Sequence, residues 1–256
     1  MPLVEVRGLH FRYPGGRGEH PWTLEDLNLS IERASSVGIV GESGSGKSTL
    51  VRILCGLLIH QQGEVTFDGR SLGEWLASRP RQLRGRNQIV FQSPRRSLDP
   101  RMSIRKSLSQ PVLAIERRKP SEDELVGWLR RVGLSDEVLP RFPHQLSGGQ
   151  LQRVGVARAL SVGPEVLYAD EPTSALDVSV QAQVLNLLMD LRADLGLTLV
   201  MVSHDLAVIS RICENVIVLK DGHIVETGPM TEVLSNPQQA YTATLVRSAR
   251  NVSLKA

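Results

Sequence analysis

Aromatic side chains are scarce in this chain: four Phe, three Tyr and three Trp make up 4% of 256 residues. A core of useful size must therefore come from Val, Leu, Ile and Ala, and their short runs become the main structural signal. Long apolar runs are also missing. No stretch approaches the roughly 20 residues needed to span a bilayer, so no membrane-crossing helix is expected. The opening MPLVEVRGLHFRY lacks a basic segment followed by a long apolar one, which argues against a secretory signal. Cysteine is limited to Cys55 and Cys213, with no CxxC or Cys/His cluster. Both are expected as small core side chains, and a reducing cytoplasm fits them. An excess of one charge is absent too. Thirty Lys and Arg face 27 Asp and Glu, for a net charge of +3, which does not point to nucleic acid.

What is present is an alternation of short apolar runs with longer helical patterns. Residues 4–6 and 9–13 read as strands that end at the Pro14-Gly15-Gly16 turn. Ser36–Val40 is a continuous apolar run before glycines, the pattern of a buried strand, and residues 47–57 follow as a helix. Residues 65–67 and 88–92 read as further strands. From 93 to about 163 no strand is evident; helical patches such as 122–132 are interrupted by Pro94, Pro100, Pro111, Pro120, Pro140 and Pro143. Strands then resume at 165–170, Thr198–Ser203 and 216–220, with the long helix Val178–Leu195 between the first two. Strand and helix in alternation predict an α/β domain with a mostly parallel sheet covered on both faces. The tail from 248 onward is polar and expected to fray.

Gly41, Glu42, Ser43, Gly44, Ser45, Gly46, Lys47 and Ser48 match G-x-x-x-x-G-K-[ST], followed by Thr49. The match lies between a predicted buried strand and a predicted helix, which is the context the motif needs. Glycines let backbone N–H groups approach a phosphate without a Cβ clash, and the helix N-terminus adds a positive dipole end. Lys47 can reach the β- and γ-phosphates of ATP, and the Ser48 hydroxyl can ligate Mg2+. At the end of the strand at 165–170, Asp170 and Glu171 are adjacent acids that face opposite ways. Alone, such a pair is an ordinary loop entry. Together with the phosphate loop it suggests Asp170 in the Mg2+ shell and Glu171 polarising an attacking water.

Leu146-Ser147-Gly148-Gly149-Gln150 opens the helical pattern LQRVGVARAL. Here the chain resembles the ABC ATPases, whose signature reads LSGGQ. The family's other motifs follow in its order: Gln92 in VFQSP at the Q-loop, Ser174-Ala175-Leu176-Asp177 at the D-loop, and His204 in MVSHDL at the switch histidine. Tyr13 stands where the family has an adenine-stacking aromatic; a lone Tyr in that pattern more often packs in the core. The resemblance covers nearly the whole chain. It implies one ABC ATPase domain over residues 1–256, a P-loop NTPase parallel-sheet core with an N-terminal antiparallel β portion, and an inserted helical subdomain at about 94–161.

The resemblance also implies a mechanism. Two such domains face head to tail and enclose two ATP molecules, each held between the phosphate loop of one and Ser147, Gly148, Gly149 and Gln150 of the other, with Asp177 nearby. Gln92, Glu171 and His204 would be catalytic, and Ser48, Gln92 and Asp170 would serve Mg2+. The segment SPRRSLDPRM after Gln92, the run ADEPTSALDVSVQAQVLNLL and NPQQAYTATLV are similar to importer ATPases for di- and oligopeptides, nickel or metal chelates. That similarity implies two integral membrane permease subunits and an extracytoplasmic solute-binding protein, with no nucleic acid. It also implies a peripheral place on the cytoplasmic face of a bacterial inner membrane. The short C-terminus resembles the shorter ATPase of a pair, so a paralogous partner is expected, although a homodimer would also have intact motifs. Leu98 and Ile104 are expected on a groove that receives a permease helix. Two alternatives are another transport system, or a non-transport ABC protein of translation or DNA repair. Against the latter stand a single cassette and the absence of a sustained heptad run between Ser48 and Asp170.

Overall fold

The structure is a computed structural model that describes residues 1–14, 22–174 and 176–253. Gly15 and Gly16 of the expected first turn, and Ala175 of the expected D-loop, lie outside the described residues. The chain divides into two units, Met1–Ser78 with Thr198–Ala256, and Arg79–Leu197.

The first unit contains an antiparallel sheet in the order Leu24–Ile31, Val4–Phe11, Gln62–Phe67, Arg70–Ser71. Val4–Phe11 is one strand where sequence alternation predicts two. Val4 and Val6 face inward, the register shifts after Val6, and Leu9 and Phe11 then face inward again. The shift is a bulge at Gly8, whose φ of 57° would strain a residue with a side chain. Leu24–Ile31 is not foreseen at all. Its buried residues Leu24, Leu27 and Ile31 are spaced three and four apart, which is the helical period. Asp26 at φ 48° and the shifts against Val4–Phe11 produce that spacing in a strand.

The same unit holds a parallel core. Ser36–Val40, buried at all five positions, pairs in parallel with Thr198–Ser203 on one side and Asn215–Lys220 on the other. Burial on both faces explains the unbroken apolar run. His223–Pro229 adds an antiparallel edge strand beside Asn215–Lys220. None of its residues is fully buried, so it carries no apolar signal to read. The helix after the phosphate loop is Lys47–Leu54, shorter than expected, because Gly56 takes a left-handed φ of 72° just beyond it. At the other end, Ala240–Ser253 is a helix that continues into the region expected to fray.

In the second unit Asn87–Val90 pairs in parallel with Val166–Asp170. Between them lie the helices Pro94–Ser97, Ile104–Ile115, Glu122–Arg131 and Gly148–Leu160. Ser121 and Glu124 close a capping box on Glu122–Arg131. Pro111, expected as a break, lies inside Ile104–Ile115. The helix buries Ile104, Leu108 and Val112 and packs on Gly148–Leu160, and this burial outweighs the proline's cost of about 3 kcal/mol.

Leu98 and Ile104 do not face a groove. They are 2% and 0% exposed, Leu98 just after Pro94–Ser97 and Ile104 at the start of Ile104–Ile115, two helices that pack on Gly148–Leu160. Arg158 fixes the same segment by donating to the Ser97 carbonyl at 2.6 Å, and burial holds its guanidinium below the usual arginine range. Exposed side chains here include Arg95, Arg96 and Arg101. Leu98→Lys should therefore cost about 3 kcal/mol or more in urea unfolding, because it buries an unpaired charge. Arg95→Ala should stay within about 0.5 kcal/mol of the parent. A fully stable Leu98→Lys would contradict the observed burial.

Candidate functional site

Residues 41–48 leave the end of the buried strand Ser36–Val40 and enter Lys47–Leu54. Gly46 caps that helix at φ 100°, a left-handed conformation that glycine adopts without strain. Gly41 is demanded by close approach: a Cβ there would lie 2.0 Å from the Leu219 carbonyl oxygen. Lys47 is only 5% exposed and donates to the carbonyls of Gly41 at 2.8 Å and Glu42 at 2.6 Å. Its ammonium thus sits inside the turn. The Ser45 N–H closes the same turn on the Glu42 carbonyl at 3.2 Å. Ser45 Oγ is buried without a hydrogen-bond partner. A Cβ at Gly44 would meet no atom within 4 Å, so the crest of the loop is open. Ser43 is exposed and Ser48 half-buried at the helix start.

Two further candidates belong to this unit. The Tyr13 hydroxyl lies 3.1 Å from Thr49 Oγ1, and its ring meets Phe11 edge-on at 4.9 Å. Tyr13 is 45% exposed, beside the loop's helix. His204 is exposed after Thr198–Ser203. It precedes the short helix Leu206–Ser210, which is capped by Asp205 through the Ala207 N–H at 2.8 Å.

The second unit carries the remaining candidates. Asp170 ends the strand Val166–Asp170 and is 3% exposed. Glu171 follows at φ 45°, an uncommon conformation for a residue with a side chain. Its carbonyl accepts from the Ser174 N–H at 3.3 Å, and its carboxylate accepts from Gln92 Nε2 at 2.8 Å. The Q-loop glutamine and the strand-end glutamate are therefore in direct contact. Ser147 caps Gly148–Leu160 and forms a reciprocal box with Gln150, at 3.2 Å and 3.0 Å. Gly149 allows that helix to approach Val178–Leu195, since a Cβ would fall 2.4 Å from Val180 Cγ1. Asp177 caps Val178–Leu195 by accepting from the Val180 N–H and Ser179 Oγ, both at 2.9 Å. These hydrogen bonds hold its carboxyl below the usual range.

The donor set fits a polyphosphate. A buried ammonium, a buried hydroxyl without a partner and an open glycine crest at a helix N-terminus all favour an anion. Ser48 in the first unit and Asp170 in the second are each hard oxygen donors, the ligand type that Mg2+ takes. Among the described residues no group of three His, Cys, Asp or Glu could hold a metal. A cation that takes few protein ligands and completes its shell from phosphate and water needs no such group. No helix of the described residues is long and apolar enough to cross a membrane.

One residue of this site has no signal in the sequence. The Tyr241 hydroxyl accepts from the Glu42 N–H at 3.0 Å across 199 residues of chain, and no local pattern links the two.

Known proteins match this arrangement over most of its length. The ABC transporter family matches residues 24–174. The dipeptide transport ATP-binding protein of Haemophilus influenzae is 39% identical, covering 98% of this chain and 79% of its own. The glutathione import ATP-binding protein of Pectobacterium atrosepticum is 40% identical over 96% of this chain, which spans only 41% of that relative's length. Among solved structures, the dimeric post-hydrolysis state of the ATP-binding cassette MJ0796, bound to ADP and Pi, superposes with a TM-score of 0.77. It is 31% identical and covers 89% of this chain and 98% of its own. With the phosphate loop, strand-end acids and LSGGQ helix all formed, and with matches of this length, the chain belongs to the ATP-binding proteins of the ABC transporter family.

Proposed function

We propose that this chain binds and hydrolyses ATP to drive an importer of di- or oligopeptides or of glutathione-like peptides. The observation that carries the catalytic half is the phosphate loop with the Lys47 ammonium held inside its turn. In this assignment residues 41–49 hold the phosphates, and the exposed Tyr13 ring stacks on the adenine. Ser48, Asp170 and the amide oxygen of Gln92 serve Mg2+, which neutralises charge on the phosphates when bound. Glu171 accepts a proton from the attacking water, kept in place by Gln92 Nε2. His204 donates to the γ-phosphate. Ser147, Gly148, Gly149, Gln150 and Asp177 act on nucleotide held by a second cassette, as the capped helix N-terminus at Ser147 is suited to an anion.

The peptide class rests on the names of the dipeptide and glutathione relatives. Nickel and metal chelates have no such support. The proposed assembly has one copy of this chain, one paralogous ATPase and two permease subunits on the cytoplasmic membrane face, fed by a solute-binding protein. Tagged chain purified in detergent and reconstituted into liposomes tests both parts. ATP-driven uptake of a labelled dipeptide, with one tagged copy per complex by native mass, is the expected result. Two copies per complex would sink the heterodimer alone. A complex that takes up Ni2+ but no peptide would sink the cargo class.

A further inference from the structure

The C-terminal helix is tied to the phosphate loop through Tyr241. Ala240–Ser253 packs on Leu206–Ser210, the helix that follows His204, and buries Thr242 and Val246. Glu226 fixes its start, accepting from the backbone N–H groups of Gln238 at 2.8 Å and Gln239 at 3.1 Å. From the first turn, Tyr241 reaches the loop and accepts the Glu42 N–H at 3.0 Å. The Lys220 ammonium lies over the Tyr241 ring, 5.1 Å from its centre, a cation–π contact. Burial raises the phenol above its usual pKa, so it is a neutral hydroxyl at physiological pH.

The Glu42 residue is thereby gripped at both ends. Its N–H goes to Tyr241, and its C=O accepts from Lys47 Nζ at 2.6 Å and from the Ser45 N–H at 3.2 Å. A backbone segment with only its carbonyl held can rotate about its flanking φ and ψ. With the amide held too, the carbonyl stays aimed at Lys47. We infer that Tyr241 is a positioning residue for the phosphate loop. It locks the turn at Glu42, so that the Lys47 ammonium is pre-placed for the nucleotide phosphates and the C-terminal helix becomes part of the ATP site. The inference rests on the reading of residues 41–48 as a phosphate loop.

Tyr241→Phe isolates the hydroxyl, because it keeps the ring, the Lys220 contact and the docked helix. In the full-length chain, titration with a fluorescent ATP analogue and Mg2+ should show binding about two- to tenfold weaker, the effect of one neutral hydrogen bond. Amide exchange in peptides spanning 41–48 should quicken, while peptides spanning 206–210 stay protected. Tyr241→Ala should bind no more tightly than Tyr241→Phe. Native affinity and native exchange at 41–48 in Tyr241→Phe would overturn the inference, as would weakening in Tyr241→Ala alone, since that assigns the effect to packing. Lys47→Ala separates the two levels. If it binds ATP like the parent, the phosphate-loop reading itself fails. If it loses binding while Tyr241→Phe does not, only the role of Tyr241 falls.

Discussion

Glu171→Gln should leave ATP binding intact and slow hydrolysis about 10²–10⁴-fold, the span associated with a positioned general base. Its carboxylate is held by Gln92 Nε2 at 2.8 Å, and its backbone is held at φ 45° with the carbonyl tied to Ser174. A group gripped in an uncommon conformation at a strand end is aimed, and glutamine in its place preserves the shape while removing the proton acceptor. The substituted amide can still offer its oxygen to Gln92, so the contact survives and the loss reports on proton transfer. Turnover by the assembled transporter and equilibrium binding of ATP, measured on the same preparation, separate the two effects. A variant that hydrolyses ATP at the parent rate would remove Glu171 from the role of base. A variant that loses binding as much as rate would make it a ground-state ligand.

The parts of the fold that could be read in the sequence are those in which periodicity and environment agree. Ser36–Val40 and Thr198–Ser203 are buried on both faces, so their apolar runs are continuous and unmistakable. The phosphate loop is legible because its glycines are each required by geometry close at hand, whether the turn of the backbone at Gly46 or the Leu219 oxygen beside Gly41. Leu24–Ile31 is hidden because a left-handed Asp26 converts a strand's spacing into a helix's. His223–Pro229 is hidden because an edge strand with no buried residue has nothing to alternate. Leu98 was legible as part of a motif and Ile104 as lying just beyond it, but neither as buried, because a resemblance marks positions without saying which way side chains face. Tyr241 illustrates the limit for the site. Its partner is an amide 199 residues away, and such a bond has no local pattern.

Gly41→Ala should be far more damaging than the same methyl at the crest of the loop. The added Cβ would lie 2.0 Å from the Leu219 carbonyl oxygen and 2.8 Å from Ser45 Oγ. The serine can rotate. The carbonyl cannot, because Leu219 belongs to Asn215–Lys220, held in parallel by Ser36–Val40 and in antiparallel by His223–Pro229. Relief therefore requires either the strand or the loop to shift. The strand shift breaks sheet pairing, and the loop shift moves the Gly41 carbonyl off Lys47. Overpacking of this kind costs about 1–3 kcal/mol and sometimes more, with the upper end expected where the obstacle is backbone. For a chain of this length each kcal/mol lowers the melting temperature by about 2–4 °C. ATP affinity should fall at least about tenfold, the effect of losing one hydrogen bond from a charged group. Gly44→Ala is the comparison. Its φ of 85° penalises any side chain by about 1–2 kcal/mol, but nothing lies within 4 Å of the new methyl. Calorimetric melting and ATP titration should therefore rank Gly41→Ala below Gly44→Ala in both stability and affinity. If the two variants melt together and bind alike, the Leu219 contact does not constrain the loop, and glycine at 41 serves some other end.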